Sequence, residues 1–590
     1  MRTRTTVLNT RSSVLFAGFI LLLLLLLSRC SGPSAESTPN EVIVWELNEP
    51  SSLNPLTAND LAAQLLLNYT HQKLLNYDYD TYELIPVLAA NRPEITLLGD
   101  TAMQLAYTLR PEATWDDGTP ITGYDVAFTY KVIAHPDIPA DHLKPYLSSI
   151  THIEVDADHP KQFTLTCQPV QMRAEISTGA EAFILPKHVY DPEGWLDDIR
   201  YNATLTGPEE KLSAFADYFT HIRFARQPDS IIGSGAYKIA RWETGQRVVV
   251  TRKDNWWGDA VEAKQNEYFE AYPTTITHEI ISDQSAAITA LKGGQLDVMR
   301  SVRAKDYRED LMENERVNDQ FNLHQPPQFS YSCFGIHQQH RFLNDKLTRQ
   351  ALAYLVPYQR MREDILYGFG EPITGPVLPF IAQWYNDTLQ PYTYQPEKAA
   401  ALLRQAGWVD RDQDGLLEKQ IDGEWVPFSF SFLYNAGNRD REKVALMYQN
   451  ALEKAGIQMD ITPFEWSIYL DKIMSHDFDM FYVVLSTDPG LEDFSQLWHT
   501  ASANGGSNFV EFGDASTDAL IDSINTTLDE AQRADLVRQF QAILHDEVPY
   551  IFLWTPENRI AIHNRLENGH LSAYRPGFWT PGLRLANANE

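Results

Sequence analysis

Cysteine is scarce in this chain, with three residues among 590. That number is too small for a disulfide framework of the kind that stabilises small secreted domains. One of the three, Cys30, lies at the end of an N-terminal apolar run. The other two, Cys167 and Cys333, could form a single disulfide or could be buried as small apolar residues.

Positive charge is also in short supply. The chain has 48 Lys and Arg against 79 Asp and Glu, a formal net charge of −31. Nucleic acids and anionic membrane surfaces bind basic footprints, so we expect neither as a partner.

The hydrophobic content and the length indicate a large folded protein. A hydrophobic content of 44% excludes a mainly disordered chain. Because 590 residues exceed what one hydrophobic core supports, we expect at least two lobes.

Patterns that would indicate catalysis or a bound cofactor are missing. There is no nucleophile elbow and no H-E-x-x-H motif, and the Gly-Ser-Gly turn at 233–235 lacks the continuation of a phosphate loop. Asp410, Asp412 and Asp414 match the start of an EF-hand calcium loop, but its twelfth place holds Ile421 instead of Glu. An acidic turn is therefore favoured, and we predict no catalytic residue, no cofactor and no metal.

A long apolar run occurs at the N-terminus, over residues 14–27, after three arginines. Its 14 residues fit the core of a signal peptide better than a membrane-spanning helix, so residues 1–29 are predicted to direct export. The run ends at a sequence that resembles a bacterial lipobox, with Cys30 as the lipidated residue and 30–40 as a flexible tether. Arg29 occupies the place of the usual small residue, and an uncleaved anchor is the alternative.

A strand, a turn and a helix follow one another near residue 115. Residues 103–109 alternate apolar and polar side chains as a half-buried strand does, and 116–120 read D-D-G-T-P, which is typical of a sharp turn. Thr122 and Asp125 have the spacing of a capping box, which predicts that a helix begins there.

The same segment carries a family resemblance. From Trp115 it reads W-D-D-G-T-P-I-T-G-Y-D-V, similar to the string W-x-D-G-x-P-x-T-A-x-D-V of the family 5 extracellular solute-binding proteins, which serve bacterial ABC importers. Gly123 in place of Ala is the visible departure. Further segments resemble that family in the same order, over nearly the whole mature chain: 233–257, 288–298, 343–352, 368–376, 394–408, 465–469, 478–490 and 546–549.

This resemblance implies an α/β fold, namely the two-lobed periplasmic-binding-protein fold of type II, in its large peptide-binding class, with crossing hinge strands. Lobe one is expected over 41–328. Within it, the residues themselves predict a helical insertion at 201–230, because Leu212, Phe215 and Phe219 have the spacing of one helix face. Lobe two is expected over 329–552, and 553–590 are expected to return to lobe one.

The resemblance also implies a function. A peptide or peptide-like small solute is bound between the closing lobes and delivered to the permease subunits of an ABC transporter. We expect a monomer that is periplasmic or on the cell surface and touches the membrane through its lipid anchor only. Two alternatives stay open: an extracytoplasmic hydrolase acting on peptides, and a solute sensor of the same fold.

Asp488 is the candidate that receives the ligand's ammonium group. It follows Asp479 by nine positions, which is the family spacing, and a buried ammonium needs a counter-charge. By residue pattern alone, an Asp before Pro-Gly is a turn residue. Trp466 could form an apolar wall of the site, although by residue type alone it would belong to the core.

The positions at which relatives hold a ligand's carboxyl group are altered. Asn435 stands where dipeptide-binding members have Arg, and Tyr482 where oligopeptide binders have Arg. Leu485 replaces the usual Trp, while Arg439 or Arg441 could reach a carboxylate from a nearby loop. We therefore expect recognition of an amino end without a defined carboxylate clamp, and a non-peptide cationic solute stays open.

Overall fold

The computed structural model describes residues 40–261 and 266–586. The predicted signal peptide, Cys30 and all but the last residue of the tether lie outside this part of the chain. Within it, none of the helices combines the length and hydrophobicity that crossing a bilayer requires.

Three large sheets organise the described residues. The seven-stranded sheet has, in spatial order, the strands Phe321–His324, Ile560–His563, Val298–Met299, Glu41–Glu46, Thr275–Ile280, Arg247–Arg252 and Tyr237–Glu243. The six-stranded sheet has Glu371–Pro372, Tyr550–Thr555, Ser330–Ile336, Met480–Ser486, Ser429–Asn435 and Gln458–Phe464. The four-stranded sheet has Glu94–Leu98, Ala102–Thr108, Gln162–Cys167 and Ile150–Val155. Three small pairs join Leu75–Tyr77 to Leu84–Pro86, Glu418–Ile421 to Glu424–Pro427, and Leu566–Glu567 to Arg584–Leu585.

Helices cover these sheets. The α-helices are Leu61–Thr70, Gly123–Ala134, Lys144–Leu147, Ala174–Gly179, Lys187–Tyr190, Glu209–Phe219, Arg223–Arg226, Gln284–Lys292, Ala304–Asp306, Glu315–Gln320, Lys346–Tyr354, Tyr358–Asp364, Pro396–Gln405, Arg439–Glu453, Trp466–Met474, Ser495–Trp498, Ala515–Thr526 and Glu530–Glu547. Tyr307–Met312 is a π-helix, and short 3₁₀ turns occur at Pro228–Ser230, Trp257–Ala260, Glu267–Phe269, Thr500–Ser502 and Thr580–Gly582.

We call the part with the seven- and four-stranded sheets lobe one and the part with the six-stranded sheet lobe two. In lobe one, the strand Glu41–Glu46 pairs in parallel on both sides, with Thr275–Ile280 and Val298–Met299. A strand at the centre of such a sheet is covered on both faces, which explains its nearly continuous apolar sequence.

Hydrophobic clusters cover both faces of the six-stranded sheet in lobe two. Successive side chains of a strand point to opposite faces, and along Ser330–Ile336 the residues Tyr331 and Cys333 enter one hydrophobic cluster while Phe334 and Ile336 enter another. The six-stranded sheet is thus the middle layer of lobe two.

The predicted corner near residue 115 is confirmed. Thr122 and Asp125 form the capping box: the Thr122 backbone N–H donates to the Asp125 carboxylate at 2.8 Å, and the helix Gly123–Ala134 begins there. The other oxygen of Asp125 accepts from the Lys187 backbone N–H at 2.9 Å, so this carboxylate also fixes the following segment.

Two segments carry the chain between the lobes and lie side by side. The first links Phe321–His324 to Ser330–Ile336, and the second links Tyr550–Thr555 to Ile560–His563. Backbone hydrogen bonds join them, with the Gln328 N–H donating to the Pro556 carbonyl at 3.0 Å. The expected two-lobed α/β fold with crossing hinge strands is therefore present. The limits at 328/329 and 552/553 stay predictions, and the second falls inside a strand.

The two cysteines of the described chain are both buried and both free. Cys167 lies in the four-stranded sheet and Cys333 in the six-stranded sheet. Of the two alternatives left by the sequence, burial as small apolar residues is correct.

The insertion at 201–230 contains the helix Glu209–Phe219. This helix buries Leu212 and Phe215 in the core of lobe one, as its apolar spacing predicts.

Candidate ligand site

The loop after the strand Met480–Ser486 lies at the junction of the lobes. Its Gly490 sits against Tyr77 and Ile176 of lobe one, where an added Cβ would be 2.8 Å from each side chain. The Arg173 guanidinium donates to the Leu491 carbonyl at 3.0 Å. This loop, residues 487–492, therefore belongs to lobe two but is held against lobe one.

Asp488 is in this junction loop and is accessible to solvent. It lies within electrostatic range of Lys73, Arg173 and Glu181, which all come from lobe one. In the part of the chain that the structure describes, no hydrogen bond or ion pair within 4 Å occupies its carboxylate. The sequence-predicted residue is thus an exposed negative charge at the meeting point of the lobes, without a protein partner among the described residues.

The lobe-one charges near Asp488 have interaction partners of their own within lobe one. The Lys73 ammonium donates to the Ala180 carbonyl at 2.7 Å and lies 5.2 Å above the Phe183 ring. Burial lowers the pKa of Lys73, although Glu181 and Asp488 oppose this shift. Arg173 and Glu181 are 3.9 Å apart.

Glu492 is a second carboxylate in the junction loop. Its pKa is raised to about 7, chiefly by burial and then by the charge of Asp488, while Arg173 acts in the opposite direction. Burial and Asp488 also raise the pKa of Glu181. We call the five charged residues Lys73, Arg173, Glu181, Asp488 and Glu492 the junction cluster.

A small cavity of about 30 Å³ adjoins this cluster in lobe two. Asp488 and Glu492 lie at its polar side. The rest of its lining is mostly apolar: Phe329, Pro376, Val377, Leu378, Ile381, Trp384, Pro489, Leu491 and Phe494. The cavity has about the volume of one water molecule, so it can take only a small, methyl-sized apolar group next to the carboxylates.

Aromatic residues of lobe one surround the cluster. The buried Tyr77 hydroxyl lies within range of Arg173, Glu181 and Asp488, and among the described residues it has no hydrogen-bond partner. Tyr574 meets the Tyr77 ring edge to face, with the centroids 5.7 Å apart. A buried hydroxyl without a partner costs free energy, so this atom is suited to a group that arrives from outside.

Three further sequence-predicted residues form a separate group in lobe two. Arg441 donates to the Asn435 side-chain oxygen at 3.0 Å, and its guanidinium lies 5.9 Å from the centre of the Tyr482 ring. The helix Arg439–Glu453, capped by Asn438, holds Arg441 in its first turn. No hydrogen bond or ion pair among the described residues joins this group to the junction cluster.

The remaining predicted residues are placed as follows. Trp466 is 53% exposed and stacks on Tyr469 at 5.8 Å, so the core position suggested by its residue type alone is wrong. The Tyr469 hydroxyl donates to the Tyr482 carbonyl, which puts Trp466 near the Arg441 group. Leu485 is half-buried against the core of lobe two, and Arg439 is exposed.

Sequence reasoning missed most of the junction cluster, namely Lys73, Arg173, Glu181, Glu492 and the neighbouring Tyr77. Glu492 lies in the same loop as Asp488, but no motif marks it. The acidic turn at Asp410, Asp412 and Asp414 is exposed, and its carboxylate oxygens lie within 4.8 Å of one another. Two of these carboxylates accept backbone N–H groups of the turn itself.

Two α/β lobes joined by paired crossing segments, with carboxylates free of protein partners among the described residues where the lobes meet, define a two-lobed solute-binding protein. Residues 83–508 match the family model of the bacterial extracellular solute-binding proteins, family 5. The chain belongs to this family, whose members are extracellular binding proteins.

Known proteins resemble the chain over almost its whole length. The oligopeptide-binding protein AppA of Bacillus subtilis (strain 168) is 26% identical over 578 residues, which cover 94% of this chain and 96% of that protein. A solved structure of B. subtilis AppA in complex with a nonapeptide superposes with a TM-score of 0.65 at 24% identity, covering 93% of this chain and all of that one. HbpA2 from Haemophilus parasuis superposes with a TM-score of 0.73 at 19% identity, covering 92% and 100%.

Proposed function

We propose that this protein binds peptides or peptide-like solutes by their amino ends between its two lobes and delivers them to an ABC importer. The observation that carries the proposal is the position of Asp488, an exposed carboxylate at the junction of the lobes and beside a small, mostly apolar cavity. The similarity to a protein named as oligopeptide-binding supports the choice of peptides.

Charge balance supports an ammonium group as the feature recognised. With all its members ionised, the junction cluster has three carboxylates and two cations, so one negative charge is left over. One ligand ammonium beside Asp488 balances it. The first apolar side chain of a peptide would then lie against the apolar wall that includes Phe329 and Trp384.

Closure follows from the same geometry. A ligand that contacts Asp488 of lobe two and Tyr77 or Glu181 of lobe one interacts fully only when the lobes are together. Its differential affinity for the closed state shifts the hinge equilibrium. The paired segments near Gln328 and Pro556 are where the chain must bend.

We further propose that the Arg441 group contacts the distal part of a ligand. Arg441 is held by Asn435 and lies near Tyr482, and Trp466 provides an exposed ring beside them. Leu485, which is smaller than the usual Trp, and the exposed Arg439 belong to the same proposal.

The remaining proposals concern location and state. Cys30 is proposed as a lipid anchor after removal of residues 1–29, which holds a monomer in the periplasm or on the cell surface. The protein is proposed to transport its solute unchanged, without enzymatic activity.

Thermal unfolding with a synthetic library of peptides of two to nine residues tests the proposed function. A peptide present at one hundred times its Kd stabilises the folded protein by about 2.7 kcal/mol, so the melting temperature of a chain of this length should rise by about 2 °C. Mass spectrometry of the same samples should recover the peptide intact. If no library member shifts the melting temperature, or if the bound peptide is cleaved, the proposal is contradicted.

A further inference from the structure

Glu492 has the properties of a ligand group rather than of a structural one. It lines the cavity together with Asp488, and among the residues that the structure describes its carboxylate has neither a hydrogen bond nor an ion pair within 4 Å. Carboxylates that stabilise folds are normally paired when they are partly buried. This one is partly buried and unpaired at the place where a cationic group is expected.

We propose that Glu492 is a second carboxylate of the ammonium site and that it releases a proton when a ligand's ammonium enters. The inference rests on the proposed function, because it requires a ligand with a cationic amino end. The exchange is balanced: the ligand enters as R–NH₃⁺, the Glu492 carboxylic acid becomes a carboxylate, and its proton passes to solvent.

The surroundings of Glu492 explain why it holds a proton before the ligand enters. Asp488 on the same loop repels a second negative charge, and partial burial removes water from it, which together raise its pKa to about 7. Arg173 favours the ionised form, but its guanidinium is already engaged with the Leu491 carbonyl and with Glu181. An ammonium between Asp488 and Glu492 would reverse the balance and lower the pKa of Glu492.

Other titratable groups lie near Glu492, and comparison with Glu492→Gln separates their protons from that of Glu492. Asp493 accepts hydrogen bonds from the Ser495 backbone N–H and the Asn525 side chain. Tyr146 and Tyr331 have pKa values raised from their ordinary value by burial, so both stay neutral near pH 7. Burial and Asp488 also raise the pKa of Glu181, but Glu181 lies on lobe one, where the charges of Lys73 and Arg173 oppose this rise.

The sign of the pH dependence follows. Below the pKa of free Glu492 the ligand must displace a proton, so binding weakens as the pH falls; above it, this cost is absent. From pH 5.5 to pH 7.0 the peptide ammonium stays mostly protonated, since its pKa is about 7.7–8.0. Over this range, affinity should rise roughly tenfold, as expected for a single group titrating near pH 7.

Isothermal titration calorimetry tests this directly. The probe is one peptide from the library of two to nine residues. Among the library peptides that begin with leucine, it is the one that gives the largest rise in melting temperature. Titrations at pH 6.5 in buffers of different ionisation enthalpy count the protons released. We expect roughly 0.7 proton per peptide for the unmodified protein, from a group with a pKa near 7, and close to zero for Glu492→Gln.

Glu453→Gln is the matched control, because Glu453 is exposed at the end of a lobe-two helix. It should keep both the proton release and the tenfold pH effect, whereas Glu492→Gln should lose both. Binding without proton release by the unmodified protein, or unchanged release by Glu492→Gln, would overturn the role of Glu492 and leave the proposed function intact. If no library peptide binds at all, the proposed function fails and this inference fails with it.

Discussion

Asp488→Asn is expected to weaken peptide binding by about 2–3 kcal/mol, which is roughly 30-fold to 150-fold in Kd. The substitution keeps the shape of the side chain and removes its charge, so an ammonium enclosed by the lobes loses a counter-ion. We expect the lower part of the usual range because Glu492 and Glu181 remain nearby. Calorimetric titration with the best library peptide gives the value.

The folded protein without ligand should not be weakened by this change. The Asp488 carboxylate is solvent-accessible and has no hydrogen bond or ion pair within 4 Å in the described part of the chain, so urea unfolding should keep its midpoint. Asp387→Asn, at an exposed position of lobe two, is the control and should bind as the unmodified protein does. An affinity for Asp488→Asn within twofold of the original would refute the ammonium role.

The substitution with the largest expected effect on stability is in a group of buried charged residues in lobe one. Glu46 pairs with Arg300 at 2.5 Å and with His278 at 3.1 Å, and all three residues are less than 9% exposed. Removing one partner leaves a buried charge uncompensated, so Arg300→Met should lower the free energy of unfolding by about 3–5 kcal/mol. Urea unfolding followed by tryptophan fluorescence measures this.

The pH dependence of this deficit has a definite sign. Burial alone would raise the pKa of Glu46, yet Arg300 and His278 hold it below the ordinary value of 4.5. Such a group contributes stability above its unfolded pKa and loses it as the pH falls through its folded pKa. The deficit of Arg300→Met should therefore be greatest near pH 7 and should shrink as the pH falls through the lowered pKa of Glu46 in the unmodified protein.

Arg241→Met provides the comparison on the same sheet. Arg241 pairs with Glu243 at 3.0 Å, but its side chain is 58% exposed. Exposed pairs contribute about 0–1 kcal/mol, so this variant should unfold close to the original midpoint. Equal losses for Arg241→Met and Arg300→Met would contradict the account of the buried group.

Local features were the ones the sequence could predict. The turn after Trp115 and the capping box of Thr122 and Asp125 involve groups three residues apart, so the pattern determines the geometry. The two-lobed fold followed from several motifs in a fixed order. The apolar face of the helix Glu209–Phe219 was likewise readable from its spacing.

The candidate site could be predicted only in part because it is formed by distant residues. The hydrogen bond from Arg173 to Leu491 joins positions 318 residues apart, and no local pattern shows that pairing. Asp488 was found because a motif includes it. Lys73, Tyr77 and Glu181 belong to no such motif.

The solvent exposure of single side chains was equally hard to predict from the sequence. Trp466 has the residue type of a core side chain, but it begins a helix and stacks on Tyr469 from outside. Whether Cys167 and Cys333 form a disulfide depends on which sheets contain them, and the sequence does not show this. The roles of Asn435, Arg441 and Tyr482 stay predictions, although the structure brings these three together.

The most direct measurement compares one peptide with its des-amino analogue, in which hydrogen replaces the terminal amine, on the unmodified protein and on Asp488→Asn. Loss of the amine should cost the unmodified protein about 2–3 kcal/mol of binding free energy and cost Asp488→Asn much less, because the partner of the amine is already gone. Equal costs for the two proteins would show that the ammonium and Asp488 do not interact, and would contradict the proposed site.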